Sequence, residues 1–137
     1  MKGLLSLGMT LAFALVFNAL ASEAVLASEG NVRMYTINKK QQQTRIRLGN
    51  SASEAGCHDL RFKKQVHRFA QAGFAWCQLF SESECIAETI IPALWKGRTY
   101  RRVEFDHNAL QPKLYPGSDW VLAEDAPKIK AWFCEAK

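Results

Sequence analysis

The segment Phe-Ala-Trp-Cys-Gln-Leu-Phe at residues 74–80 decides the fold. In an extended chain, alternate side chains point to opposite faces of the sheet. Here the even-numbered and the odd-numbered positions both carry mostly apolar residues, and aromatic residues are frequent in strands. The segment therefore predicts a strand that is largely buried on both faces, and the polar residues 81–84 after it predict a turn.

Further short segments with strand-like alternation surround it, separated by turn signals. Residues 62–73 also fit a helical stripe, and we take a strand there because the segments after it are strand-like. Pro92 lacks a backbone N–H, so it ends its strand or confines that strand to a sheet edge. Turns at a spacing of roughly 8–12 residues are typical of sandwiches and barrels, so we predict a mainly β, antiparallel fold. The other predicted strands are residues 34–37, 44–48, 85–95, 100–105 and 129–134.

The first 21 residues have the pattern of a cleavable secretion signal. Lys2 precedes a long apolar run, and residues 19–21 (Ala-Leu-Ala) give the small-x-small pattern that signal peptidase accepts; a second such site ends at Ala27. An uncleaved anchor is the alternative, but the run is short for a bilayer span and the next basic residue is Arg33. We expect removal of residues 1–21 and a secreted, extracellular protein without a membrane span.

The rest of the chain divides at a loop. Residues 22–56 predict an N-terminal lead-in that contains one short hairpin. The stretch 49–56 is rich in Gly, Asn, Ser and Ala, and it is the densest loop signal in the chain. We therefore expect a compact, disulfide-bonded β domain over residues 57–137.

The cysteine count predicts two disulfides. An even number of cysteines in an exported chain indicates a disulfide framework. A zinc site is the alternative, but the spacing contains no C-x-x-C pair, so we expect neither a metal nor a cofactor. Four cysteines allow three pairings, and spacing alone does not choose among them. The cysteines are Cys57, Cys77, Cys85 and Cys134.

The chain is basic, with a formal net charge of +5 that loss of Lys2 lowers to +4. This charge favours acidic partners such as phosphates, anionic lipids or acidic glycans. The basic residues form clusters with aromatic residues between them, a mixture that binds nucleic acid or anionic lipid; an ordinary solvated face is the alternative. The clusters are Arg45-Arg47, Arg61-Lys63-Lys64-Arg68 and Lys96-Arg98-Arg101-Arg102, and the interleaved rings are Phe62, Trp95 and Tyr100.

Enzymatic chemistry has a weak basis in the sequence. Small secreted ribonucleases use a His, a Glu and an Arg on a β-sheet, and His67-Arg68 with Glu82 or Glu104 opposite would supply those groups. However, His58, His67 and His107 sit in polar stretches, and the sequence has neither a G-x-S-x-G elbow nor a phosphate-binding glycine loop. We therefore predict a protein that is not an enzyme.

The tryptophans divide into core and surface candidates. Trp76 and Trp132 lie within predicted strands and are expected in the core. Trp95 and Trp120 lie next to turns, where we expect them to be partly exposed, and rings at such positions often anchor partners. The candidate binding residues are Trp95, Tyr115, Trp120, Arg98, Arg101 and Arg102.

Several stretches resemble small secreted fungal proteins of the effector type, some of which look like single βγ-crystallin-type Greek-key domains. The segment FAWCQLFSESEC resembles the first hairpin of that motif, and PGSDW followed by IKAWF resembles its turn and closing strand. The resemblance covers residues 57–134 and implies a small antiparallel Greek-key sandwich or barrel held by two disulfides. The bend carries residues 81–84 instead of the usual aromatic and glycine, and the calcium motif is not recognisable, so calcium binding is not implied.

The resemblance also implies a disulfide pairing. In such a Greek key the first and last strands are neighbours, which places Cys77 beside Cys134 and leaves Cys57 with Cys85. The competing arrangement pairs Cys77 with Cys85 across the hairpin and Cys57 with Cys134 at the ends.

Together these observations predict a secreted, non-enzymatic, effector-like interaction protein. Its expected partner is a host or competitor macromolecule, with an anionic surface or glycan as one form. The protein is expected to be a monomer, with entry into host cells as an open alternative. An antimicrobial or killer-toxin-like protein acting on membranes or cell walls is the first functional alternative, and a secreted ribonuclease is the second.

Overall fold

The computed structural model describes residues 29–97 and 105–137. The predicted leader, both cleavage sites and residues 100–104 of the predicted strand 100–105 lie outside the described residues. Within the described ranges, the structure contains no helix long and apolar enough to cross a membrane.

The described chain is mainly β, as predicted, with ten strands and three short 3-10 turns. The strands are β1 (Asn31–Ile37), β2 (Gln43–Arg45), β3 (Gly56–Asp59), β4 (Arg68–Ala72), β5 (Trp76–Phe80), β6 (Ile90–Ile91), β7 (Ala93–Lys96), β8 (Leu110–Gln111), β9 (Asp119–Val121) and β10 (Ala131–Glu135). The 3-10 turns are Gly49–Ser53, Ser83–Cys85 and Ala87–Thr89.

The larger sheet has the order β2-β1-β4-β9-β7-β8, and each pair in it is antiparallel. The predicted N-terminal hairpin is present as β1 and β2. We expected the tightly packed part of the chain to begin near Cys57, but β1 pairs with β4 over five residues, and Val32 and Met34 are buried. The hairpin therefore belongs to the packed structure, because alternate residues of β1 supply the inner face of this sheet.

The smaller sheet has the order β3-β10-β5-β6 and is also antiparallel. The strand predicted at 74–80 is confirmed from Trp76 onward, with Cys77 and Leu79 fully buried. The single strand predicted at 85–95 is wrong. Two 3-10 turns occupy its first part, and Pro92 then separates β6, an edge strand of the smaller sheet, from β7 in the larger sheet.

The two sheets share one hydrophobic core, so the fold is sandwich-like. Within the described residues both sheets end in edge strands, so the structure is not a closed barrel. Buried residues of β1, β4 and β9 cluster with those of β5, β6 and β10. The largest fully buried side chains are Trp120, Trp132, Phe69, Phe74, Met34, Leu79 and Leu114.

A buried glutamine links the two sheets. The Gln71 side chain in β4 donates to the carbonyl of Leu114 (3.1 Å) and accepts from the N–H of Phe74 (3.2 Å). Leu114 in turn exchanges two backbone hydrogen bonds with Cys77 of β5. Because buried polar groups are costly without partners, this satisfied side chain fixes residue 114 between β4 and β5.

The two disulfides join Cys57 to Cys85 and Cys77 to Cys134, which confirms the pairing implied by the resemblance. Cys77 and Cys134 are directly opposite each other on β5 and β10, with Cα atoms 4.1 Å apart, and both are fully buried. Cys57 lies opposite Phe133, on the outer face of the smaller sheet, and is exposed. The bridges therefore hold opposite faces of the same sheet.

Removal of the buried bridge is expected to cost more stability than removal of the exposed one. The chain-entropy relation gives about 4 kcal/mol for Cys77–Cys134 and about 3.5 kcal/mol for Cys57–Cys85, because the residue separations are 57 and 28. Loss of packed sulfur adds to the first value. Guanidinium unfolding of the two double Cys→Ala variants measures both losses, and a larger loss for Cys57–Cys85 would contradict this structure.

The residues just before β1 pack closely against the turn between β4 and β5. Gly73 has a φ of +90°, and a Cβ atom there would lie 2.7 Å from the carbonyl oxygen of Glu29. A Cβ atom on Gly30 would lie 2.5 Å from the carbonyl oxygen of Ala72. The contact requires glycine on both sides, because the two backbones approach without room for a methyl group.

Gly73→Ala is expected to lose about 2 kcal/mol more stability than Gly117→Ala. Gly117 has a similar φ of +86° but open space around it, so both variants share the cost of positive φ and Gly73→Ala adds overpacking. Chemical unfolding of both variants measures the difference. Equal losses would show that the N-terminal segment does not pack on this turn.

Candidate functional site

A groove lined by cations runs along one side of the molecule. Four adjoining depressions share lining residues, the roomiest with a volume of about 600 Å³, between the β1–β2 hairpin with the residues after it and residues 60–65. We call this continuous depression the basic groove. Its cations are Lys39, Arg45, Arg47, Arg61, Lys63, Lys64, Lys128 and Lys130, and all eight are exposed.

The first wall of the groove contains residues 45–47, whose side chains alternate between the outside and the inside of the sheet. Ile46 points inward and is 7% exposed, so its neighbours Arg45 and Arg47 point outward. Ile46 donates its N–H to the carbonyl of Met34 (2.8 Å), which continues the hairpin beyond β2. The two arginines therefore stand in a row along the edge of the larger sheet.

The second wall, residues 60–65, is held at both of its ends by hydrogen bonds. Leu60 donates its N–H to the carbonyl of Lys130 (2.8 Å), and the Gln65 side chain donates to the carbonyl of Ala126 (2.8 Å). Leu60 and Phe62 are half-buried and pack against the core. The apolar side chains thus form the floor, and the cations between them remain in solvent.

Few acidic groups face these cations. Glu82 pairs with Lys130 at 3.6 Å, and the Asp59 carboxylate accepts the backbone N–H of Glu84 (3.0 Å). Among the residues that the structure describes, Lys130 is the one groove cation with an ion pair. Concentrated charge of one sign in a depression focuses the field and raises the local concentration of counter-ions. The groove is therefore suited to an anionic ligand.

The structure brings two of the three predicted basic clusters together. Arg45-Arg47 and Arg61-Lys63-Lys64 form facing walls, although 13 residues lie between them in sequence. Sequence reasoning left Lys39, Lys128 and Lys130 out of the basic clusters, although Lys39 adjoins Lys40 and the other two have the spacing of Arg45 and Arg47. In the third cluster, Arg98, Arg101 and Arg102 lie outside the described residues.

Arg68, assigned to the second cluster, is separate from the groove. Its guanidinium lies 3.9 Å from the centre of the Tyr35 ring and forms an ion pair with Asp119 at 3.1 Å. Tyr35 on β1 and Arg68 on β4 are directly opposite. Arg68 therefore connects neighbouring strands of the larger sheet.

Three candidate recognition rings meet in one cluster. The Phe105 ring stacks on Tyr115 at 5.9 Å and lies 5.8 Å from Trp120 and 6.1 Å from Trp95. His107 lies 4.4 Å from Trp95. Trp95, Phe105 and Tyr115 are half-buried and pack against the core.

The expected exposure of Trp120 is wrong, because Trp120 lies in β9 and is fully buried. Its indole N–H donates to the carbonyl of Tyr115 (3.0 Å). Trp95 and Tyr115 are half-buried, and their binding role stays a prediction. Trp132 is buried as expected, whereas Trp76 is only half-buried, on the outer face beside Phe133.

Of the residues proposed for a ribonuclease, Arg68 and Glu82 each pair with a different residue. Glu82 pairs with Lys130 beside the smaller sheet, whereas Arg68 pairs with Asp119 in the larger one, and within the described residues the two are not in contact. Glu104 lies outside the described residues. The described part of the chain also contains no cluster of three His, Cys, Asp or Glu residues that could hold a metal.

Comparison of the chain with models of protein families, with curated proteins and with solved structures finds no match. The effector-type and βγ-crystallin resemblance therefore stays a prediction.

The arginines of the groove and of the sheet are expected to differ in their effect on stability. Arg45→Gln with Arg47→Gln should change the free energy of unfolding by less than about 0.5 kcal/mol, because both side chains are exposed and neither forms an ion pair with another described residue. Arg68→Gln should lose about 1 kcal/mol, since it removes a ring contact and a partly exposed ion pair. Urea unfolding tests this, and a large loss in the double variant would assign its arginines a structural role.

Proposed function

We propose that this chain is a secreted, non-enzymatic binding protein that recognises an acidic macromolecule of a host or competitor through the basic groove. One observation carries the proposal. Eight exposed cations from four separate parts of the chain line a continuous depression, and in the described structure one of them has an ion pair. Self-repulsion of this kind costs stability, and an anionic partner would offset it.

The disulfides support the extracellular assignment. Disulfides persist in oxidising surroundings outside the cell, and all four cysteines are paired. The leader pattern in residues 1–21 agrees with this location. An effector-like role follows from the same profile of a short, basic, disulfide-bonded chain together with the family resemblance.

The groove is less suited to disrupting a membrane. Insertion into a bilayer needs exposed apolar side chains beside the cations. In the described residues the exposed large hydrophobic side chains are Ile86 and Leu110, and neither lines the groove, whereas Leu60 and Phe62 are half-buried against the core. Binding to a charged macromolecule therefore fits the groove better than the antimicrobial alternative.

Binding to heparin, a sulfated glycan, tests the proposed function. We expect affinity that falls steeply as salt rises, because binding releases counterions. Arg47→Gln with Lys64→Gln should weaken binding about thirtyfold at low salt, at roughly 1 kcal/mol for each cation. Titration calorimetry or a salt gradient on immobilised heparin measures the effect.

A matched variant separates the groove from net charge. Arg33→Gln with Lys96→Gln removes the same charge from a different depression, lined also by Asp119, and should weaken binding less than about threefold. Equal loss in the two double variants, or no binding at low salt, would refute the role of the groove.

A further inference from the structure

In the part of the chain that the structure describes, the basic groove borders an open edge of the larger sheet. β2 is the terminal strand of that sheet, and all three of its residues are exposed. An edge strand presents unpaired backbone groups that can pair with another strand. The groove therefore adjoins backbone donors and acceptors as well as charge.

The register shows which backbone groups face outward. Ile46 bonds to Met34, and Asn38 donates its N–H to the carbonyl of Gln42 (3.0 Å). In an antiparallel pair, hydrogen-bonded positions alternate with positions whose backbone groups point away from the partner strand. Gln43 and Arg45 occupy the alternate positions, so the N–H and C=O groups of both point away from β1.

Charge determines which strand this edge can accept. Arg45 and Arg47 lie along it, with Lys39 and Lys64 beside it. Charged side chains normally protect edge strands against pairing with copies of themselves, and a second copy would bring cations against cations. An acidic strand would instead meet opposite charge, since cross-strand pairs of opposite charge stabilise a sheet.

A depression that adjoins β2 and extends across the hairpin could receive side chains of an extended peptide. The depression of about 600 Å³ has polar and apolar lining, with Ile37, Phe62 and Gln65 next to the arginines. A strand of five residues is about 17 Å long and lies about 4.8 Å from its neighbour. Its acidic side chains would meet the cations, and its alternate apolar side chains would meet Phe62.

We propose that the acidic partner is a protein that supplies an extended acidic segment, which binds by adding a strand to β2. This rests on the proposed function and names its partner class. A sulfated glycan or a nucleic acid would use the cations, but neither has the regularly spaced backbone N–H and C=O groups that pair with the edge of a sheet. Nucleic acid binding also relies on stacking, and Phe62 is the one half-buried ring among the described groove residues.

The test uses a labelled peptide, acetyl-(Glu-Val)₃-amide, and the oxidised, secreted protein. Its matched control is the same peptide N-methylated at the alternate residues that would face β2. This change keeps the charge and the side chains but removes the backbone N–H donors of that edge. We expect N-methylation to weaken binding at least about tenfold, because each backbone hydrogen bond contributes a factor of about 2–12. Fluorescence anisotropy measures both affinities, and heparin serves as a probe without a peptide backbone.

A variant pair tests the same bonds from the protein side. Gln43→Pro removes the outward N–H without a change of charge, at an edge where proline is tolerated, and Gln43→Ala is its control. We expect Gln43→Pro to weaken peptide binding about three- to tenfold and to leave heparin binding unchanged. If Gln43→Pro fails to fold, the N-methylated peptide decides on the unaltered protein.

The outcomes separate this inference from the proposed function. Equal binding of the two peptides, or binding of heparin without the parent peptide, would overturn strand addition while leaving anion recognition intact. Binding of neither heparin nor peptide would overturn both.

Discussion

The buried disulfide between Cys77 of β5 and Cys134 of β10 is the constraint on which the rest of the structure depends. Cys77 and Cys134 face each other across the two central strands of the smaller sheet, and Leu79 faces Trp132 in the next row. These four side chains form the inner face against which the larger sheet packs. A chain of this size buries a limited core, so a crosslink inside that core supplies a large share of the net stability.

The groove follows from this packing. One wall extends from the edge of the larger sheet, and the other follows β3 of the smaller sheet. Its floor consists of half-buried side chains that pack against the margin of the common core, namely Leu48, Leu60 and Phe62. The cations converge only when the two sheets pack against each other, so the proposed recognition and the stability depend on the same interface.

Local pattern predicted the elements whose signal is contained in a few residues. The alternation at 74–80 predicted β5, and the resemblance implied the correct disulfides. Pro92 predicted the end of a strand. The passage of the chain from the smaller to the larger sheet at that point depends instead on long-range packing, which the residues next to Pro92 do not reveal. The segment PGSDW at 116–120 resembles a turn, whereas burial of Trp120 in the core draws its last two residues into β9.

Sequence reasoning found only part of the candidate site, because long-range packing brings its residues together. Arg45-Arg47 and Arg61-Lys63-Lys64 were recognised as basic clusters, but the sequence gives no reason to place them on facing walls. Lys128 and Lys130 join them because the carbonyl of Lys130 holds Leu60. Arg68 was grouped with its sequence neighbours, yet its strand position directs it to Tyr35 and Asp119.

The central claim is that folding, and not composition, creates the anion site. Heparin affinity of the oxidised protein compared with the same protein reduced and blocked with iodoacetamide tests this most directly, because the neutral blocking group leaves every cation in place. The account predicts a loss of affinity and a shallower salt dependence when the bridges are broken. Unchanged affinity in the reduced protein would show that the charges act without the groove.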